Sequence, residues 1–380
     1  VKYVGLLMPG AMALAWVLSI DTEAHPTPRQ RARRVATDAR PWIFLGCWIA
    51  TFLATSPYAV LDPVTFGRHF FFQLDHLAGG HGVELGIGGV YHLRHTLPLG
   101  VGWPVFLLAV PGAVLALRES GRASIVLLAF PALFYASTFS SHTVFLRYML
   151  PVLPFVCLFA GFGAARLGRI AIGRGAAPLL VAAGLLVVVA EPAWRDVRSN
   201  QLLGRTDSRV VAAALLEDAA GDGTHTVYQT GAEWGHLQLW PAPQYFEEQV
   251  RALSGRAITP ERQIGQDYER LQAEARRDEA ATRRTTFVLT DTAEIDSGAR
   301  PEYIVMLESE LRQYSELRPG VRDLIEARYE VIGHVEGAGI GAGWYDQHDA
   351  FYLPFIGFGG VTRPGPDVTI LRRNEASPPP

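Results

Sequence analysis

A chain of 380 residues that is 49% hydrophobic and only 19% charged is too apolar on average for one water-soluble fold, yet its mean hydropathy is a modest +0.14. The apolar excess must therefore be concentrated in part of the chain. The net charge of −3 excludes a nucleic-acid partner as the default reading. Cys47 and Cys157 both lie in apolar runs, where a thiol packs as a small hydrophobe, so they leave the redox compartment open.

In chain order, apolar runs long enough to be spans occur at 1–20, 42–61, 102–117, 123–139, 149–165 and 177–193. They predict a polytopic α-helical membrane region over 1–193 with about six transmembrane helices. Pro111, Pro131, Pro151 and Pro154 within them are tolerated in packed membrane helices. The first run opens at Val1 without a charged leader, which reads as a chain whose N-terminal part lies upstream. Arginines crowd three connections: Arg29, Arg31, Arg33, Arg34 and Arg40 in 21–41, Arg118 and Arg122 in 118–122, and Arg166, Arg169 and Arg174 in 166–176. With six spans these loops share one side, and the positive-inside bias puts 62–101, 140–148 and everything after 193 on the opposite, extracytoplasmic side.

The 62–101 connection is rich in aromatic, histidine and glycine residues and is expected to form a re-entrant or interfacial element. Beyond it, 194–373 alternates helical and strand patterns. Helices are expected at 206–220, 260–284 and 301–316, and strands at 224–230, 285–291 and 329–333. The alternation predicts a soluble α/β domain with a small, mostly parallel sheet. Residues 374–380 end in Ser-Pro-Pro-Pro and read as a disordered tail. The stretch Thr230-Gly231-Ala232-Glu233-Trp234-Gly235-His236 follows a strand, where α/β folds often place ligands, but it carries no dinucleotide fingerprint. An acceptor-binding role and a purely structural cap are both open for it.

Several segments in fixed order resemble the GT-C superfamily, the polyprenyl-phosphate-sugar-dependent glycosyltransferases related to protein mannosyltransferases and aminoarabinose transferases. The resemblance is carried by Lys2-Tyr3, Ser56-Pro57-Tyr58-Ala59-Val60-Leu61-Asp62 and Phe66 through Gly82, with Gln73, His76 and Gly80-His81-Gly82. It continues through Tyr91-His92-Leu93, Leu97-Pro98, Gly102-Trp103-Pro104 and Phe145-Leu146-Arg147-Tyr148-Met149-Leu150-Pro151-Val152-Leu153-Pro154, and closes with Pro354 to Phe358 and Arg363 to Asp367. It implies transfer of a sugar from a polyprenyl-phosphate donor to a protein, lipid or glycan acceptor outside the cytoplasm, in a bacterial inner membrane. It also implies a catalytic acidic residue in a first outer loop, which would precede Val1, so no catalytic residue is assigned within 1–380.

A phosphate donor needs cations at its depth. Arg147, with Tyr148 beside it, and Lys2 are the candidate donor-phosphate contacts, against the alternative of cations that merely snorkel to headgroups. Asp62, His76, His81, Tyr91 and His92 are the candidate lining of a substrate cleft. The His-x4-His spacing of 76–81 matches no zinc pattern, so no metal ligand is assigned, although a divalent metal stays open as a cofactor. Tyr58, Tyr91, Trp103 and Tyr148 also suit an aromatic belt. Two other classes compete: a non-enzymatic membrane scaffold or sensor displaying the 194–373 domain, and a transporter of lipid-linked sugars. The spans carry little of the mid-membrane charge that transporters use.

Overall fold

A computed structural model describes residues 4–20, 27–175, 177–254, 260–341 and 343–374. Internal contacts divide the chain into two units, Val1–Arg195 and Asp196–Pro380. The division falls two residues beyond the 193/194 boundary expected from composition.

The first unit is helical. A short 3-10 turn, Val4–Leu7, leads into α1 (Met8–Leu18), followed by α2 (Pro28–Thr37) and α3 (Ala39–Thr55). Thr27 and Gln30 form a reciprocal capping box at the start of α2, and Asp38 accepts the Arg40 backbone N–H at the start of α3. Trp16 Nε1 donates to Asp38 at one end of the α1–α3 pair, and Trp48 Nε1 donates to the Gly5 carbonyl at the other, so the two helices run antiparallel.

The connection 62–101 is almost wholly helical. A single turn, α4 (Tyr58–Leu61), precedes α5 (Pro63–Gly79), and then come α6 (Gly88–Tyr91), a π-helical turn at His92–Thr96 and α7 (Leu97–Val101). The axis next bends by 108° at Gly102 into α8 (Trp103–Glu119). Gly102 has φ +86°, a backbone conformation that favours glycine at the bend. The unit continues with α9 (Gly121–Thr138), α10 (Leu153–Gly173) and α11 (Pro178–Leu203), the last of which passes the unit boundary.

Among the described residues, three helices are long and apolar enough to cross a membrane: α9, α10 and the helix that begins at Pro178. They take up the expected spans 123–139, 149–165 and 177–193. The expected span 102–117 is α8, which meets the length and composition of a span only together with the bent arm Gly88–Val101. The other two expected spans shorten to α1 and α3, of 11 and 17 residues. At 1.5 Å per residue α1 reaches only about half of a hydrocarbon core.

α8 packs closely on α10 because both faces are stripped to small residues. A Cβ at Gly112 would collide with the Phe159 carbonyl, and one at Gly163 would sit 2.8 Å from the Leu108 carbonyl oxygen. Ala109, Ala116 and Ala160 continue the seam, as expected where helices associate by close packing in lipid. Arg166 pairs with Glu119, which brings the arginine-bearing connections 118–122 and 166–176 to one end of the bundle.

The second unit is a five-stranded sheet with helices on both faces. α12 (Ser208–Ala220) precedes β1 (Gly223–Gln229), and α13 (Pro243–Ser254) and α14 (Pro260–Thr282) precede β2 (Thr285–Leu289). The chain continues through α15 (Thr292–Asp296), β3 (Tyr303–Glu308), α16 (Arg312–Ser315), α17 (Pro319–Arg328), β4 (Tyr329–Val335) and β5 (Asp367–Arg373). The spatial order is β2-β1-β3-β5-β4. β1 is parallel to β2 and β3, and β5 is antiparallel to β3 and β4.

Two expectations need correction. Residues 301–316 do not form one helix: Tyr303–Glu308 is the central strand, with Ile304, Val305 and Leu307 fully buried, and only Arg312–Ser315 is helical. The sheet is mixed, because β5 returns through the non-helical stretch 336–366 and inserts antiparallel between β3 and β4, which themselves run in the same direction. One face packs Val227, Val305, Leu307, Val368 and Ile370 beneath Ala212 and Leu216 of α12. The other packs Tyr228, Ile304 and Leu371 against Val321.

Candidate functional site

At the end of the first unit opposite the arginine-bearing connections, the segment 139–152 gathers most of the residues singled out above. Its base is the last turn of α5. Ser141 Oγ (2.8 Å), the His142 N–H (3.0 Å) and the Thr143 N–H (3.2 Å) all donate to the Leu77 carbonyl, and Thr143 Oγ1 donates to the His76 carbonyl at 2.6 Å. Helix-terminal carbonyls that would otherwise lack donors are satisfied this way, and α5 is pinned to the segment after α9. Gly88 and Gly89 complete the seam, donating to Ser141 O (2.6 Å) and Phe139 O (2.8 Å); a side chain at Gly89 would overlap the Phe139 ring.

From this base the chain turns through a 3-10 turn, Leu146–Met149. Val144, Phe145, Leu146 and Met149 point inward and are buried, while Arg147 is exposed. The Arg147 guanidinium carbon lies 4.0 Å from the Phe145 ring centroid and 6.0 Å from that of Tyr148. Stacking of this kind orients a guanidinium while its N–H donors stay in the plane, the arrangement that suits phosphate. The His81 ring is 5.1 Å from Phe145, and His76 is 5.3 Å from His81. His81, Arg147 and Tyr148 therefore converge around Phe145, and His76 adjoins this group through His81.

The other candidates lie elsewhere. Asp62 caps the opposite end of α5, accepting the Thr65 N–H at 3.0 Å, and fourteen residues of helix set it about 21 Å from His76. It stands at the other end of α5 from His76 and His81. His92 is fully buried in the π-helical turn, with Nδ1 2.8 Å from Thr96 Oγ1, and so forms no wall of an open cleft. The Tyr91 ring lies 5.0 Å from that of His95, tilted by 48°. Lys2 lies outside the described residues, as do 375–380 of the expected tail. Among the described residues no three His, Cys, Asp or Glu side chains are grouped as a metal site.

Two features escaped the sequence reading. His142 Nδ1 is 3.2 Å from Glu84 Oε1, an ion pair when the imidazole is protonated, beside the His76–Arg147 group in the chain path. Buried Arg195 pairs with Glu191 (2.7 Å) and donates to the Leu99 carbonyl (3.0 Å), so α11 braces the α7–α8 bend. The Glu-x3-Arg spacing at 191–195 was the available signal for the second.

In the second unit, the turn 230–236 follows β1 but opens no crevice. Cβ atoms at Gly231 and Gly235 would collide with the Tyr314 carbonyl and the Tyr352 hydroxyl. Tyr314, Tyr345, Tyr352, Leu353 and Phe358 fill the space as a hydrophobic core contributed largely by 336–366. Burial pushes the Tyr352 phenol well above its ordinary pKa, and the Arg209 guanidinium, paired with Asp207 at 2.8 Å, lies 5.0 Å from the Tyr352 ring. This packing supports the structural-cap alternative for the turn.

No protein-family model, curated protein or solved structure matches the chain.

Proposed function

We propose that this chain belongs to a membrane glycosyltransferase that takes a sugar from a polyprenyl-phosphate donor, with Arg147 contacting the donor phosphate. The single observation that carries the reading is the placement of Arg147: an exposed guanidinium on a buried turn, stacked on Phe145, with Tyr148 beside it and His81 on the same Phe145 ring. The ordered segment resemblance to GT-C enzymes points to the same residues. In the reaction, an acceptor oxygen bonds to the anomeric carbon, the bond from that carbon to the phosphate oxygen breaks, and the phosphate leaves with the electron pair. Arg147 stabilises that charge as it develops. His76 and His81 line the sugar side, and a carboxylate base, which is assigned to no residue of 1–380, takes the acceptor proton. The setting is a multi-pass bacterial inner-membrane protein with both the Arg147 turn and the second unit on the extracytoplasmic side.

Binding of a fluorescent polyprenyl-phosphate sugar to the purified protein in nanodiscs tests this. Arg147→Ala is expected to weaken binding about 10- to 100-fold, and Arg147→Lys less. Equal affinity in all three proteins would remove the donor-phosphate role. The filled space around Tyr314 and Tyr352 favours a second reading, in which the 196–374 unit is a display module without its own ligand; unaltered donor binding in the Arg147 variants would move the whole chain toward that scaffold class.

A further inference from the structure

We propose that the arginine-bearing end of the α1–α3 hairpin is a binding site for one anionic phospholipid, with an acyl chain between the helices and the headgroup phosphate on Arg34 and Arg40. A cavity of about 340 Å³ opens there, and its lining is apolar except for Arg40: Met12, Ala13 and Trp16 of α1, Val35 of α2, and Trp42 and Phe44 of α3 among others. That volume is within the range of small-molecule sites, and the apolar lining selects a hydrocarbon occupant. Trp42 is 62% exposed at the rim, where an indole suits the headgroup boundary.

The charge at the mouth selects an anion. Asp38, only 7% exposed, accepts from Arg40 Nε and Nη2 (3.1 and 2.8 Å) and from Trp16 Nε1 (3.3 Å), and lies 3.7 Å from Arg34 Nη2. Arg40 holds that carboxyl well below the usual carboxylate range, so it remains an anion. One carboxylate thus faces two guanidiniums, which leaves a net positive charge over an apolar slot. Arg29 and Arg33 on α2 add to the field and pair with no carboxylate among the described residues. A cationic helix end beside a hydrocarbon-lined slot matches a phospholipid in both its parts. The inference shares with the proposed function only the reading of these helices as membrane-embedded; glycosyl transfer does not enter it.

The test purifies the full chain from bilayers of equal parts phosphatidylglycerol and phosphatidylcholine and counts retained lipid by native mass spectrometry. Wild type is expected to retain one phosphatidylglycerol in preference to phosphatidylcholine. Arg33→Gln/Arg34→Gln, which leaves the Arg40–Asp38 pair intact, is expected to lower that preference about 10-fold. Ala13→Phe fills the slot and is expected to abolish retention with every cation in place. Equal retention of the two lipids, or an unchanged preference in the arginine variant, overturns the proposal. So does full displacement by inorganic phosphate, which would make the site one for free phosphate. If Ala13→Phe fails to fold, the exposed arginine variant still decides, and Arg147→Ala is expected to retain lipid as wild type does.

Discussion

The two units solve opposite packing problems. In the first, the buried positions along α8 and α10 are Ala109, Gly112, Ala116, Ala160 and Gly163, with Phe159 the single large side chain among them, while Leu107 is 59%, Leu158 50%, Leu179 79% and Val187 72% exposed. In the second, Ile304, Val305, Leu307, Val368 and Ile370 are all fully buried. A water-soluble fold is held by burying large apolar side chains, so the second unit puts them inside. Where the surroundings are themselves apolar, nothing is gained by hiding leucine, and small residues that let backbones approach take the interior. The inversion, more than any hydropathy average, separates a membrane region from a soluble one.

Three substitutions sharpen this contrast, and the largest effect is expected at Gly112. In Gly112→Leu the side chain must occupy the position of the Phe159 carbonyl, which cannot move without breaking α10. Loss of about 4 kcal/mol or more is expected, seen as aggregation or a large fall in melting temperature in micelles. Ile304→Ala removes a fully buried side chain between β1 and β5 and should cost about 2–5 kcal/mol in a denaturant titration of the second unit. Leu179→Ala, though it deletes the same kind of hydrocarbon, should change stability by less than about 0.5 kcal/mol. A loss at Leu179 as large as that at Ile304 would break the comparison, because it would mean that protein rather than lipid covers this face.

What the sequence made legible follows the same division. Long apolar runs identify α9, α10 and α11 because length and composition suffice. The α8–α10 seam was not legible, since Gly112 and Gly163 carry meaning only once the helices are side by side. Tyr303–Glu308 reads as helix because a short, mostly buried strand shows no alternation, and the helical pattern after it spreads backwards over the boundary. β5 escaped because a strand that inserts between two others depends on pairing far along the chain. Asp62 and His76 share one connection in sequence, but the helix between them holds them apart. His142 and Glu84 meet only because the last turn of α5 is pinned to the segment after α9.

The smallest expected effect concerns charge, and it belongs to the soluble unit alone. Burial lowers the His236 pKa below its usual 6.5, outweighing the Gly231 carbonyl and Glu233, which favour the charged imidazole. As pH falls through 6.5, the unfolded chain takes up the proton before the folded one, so stability declines toward acid. Tyr329 acts at the other limit. Burial lifts its phenol to about 12, with its hydroxyl donating to the Pro301 carbonyl at 2.7 Å. Above pH 10 the unfolded chain loses that proton first, and stability declines toward base. The urea midpoint of the second unit, read by 19F NMR of fluorotryptophan at Trp240 and Trp344, should therefore fall on both sides of a plateau between about pH 6.5 and 10. His236→Gln should flatten the acid arm and leave the basic one, whereas Tyr329→Phe should only lessen the basic arm, because burial also raises the Tyr345 and Tyr352 phenols. An acid arm that persists unchanged in His236→Gln would assign that sensitivity to another group, and the turn after β1 would lose its place as the acid-labile point of an otherwise hydrophobic core.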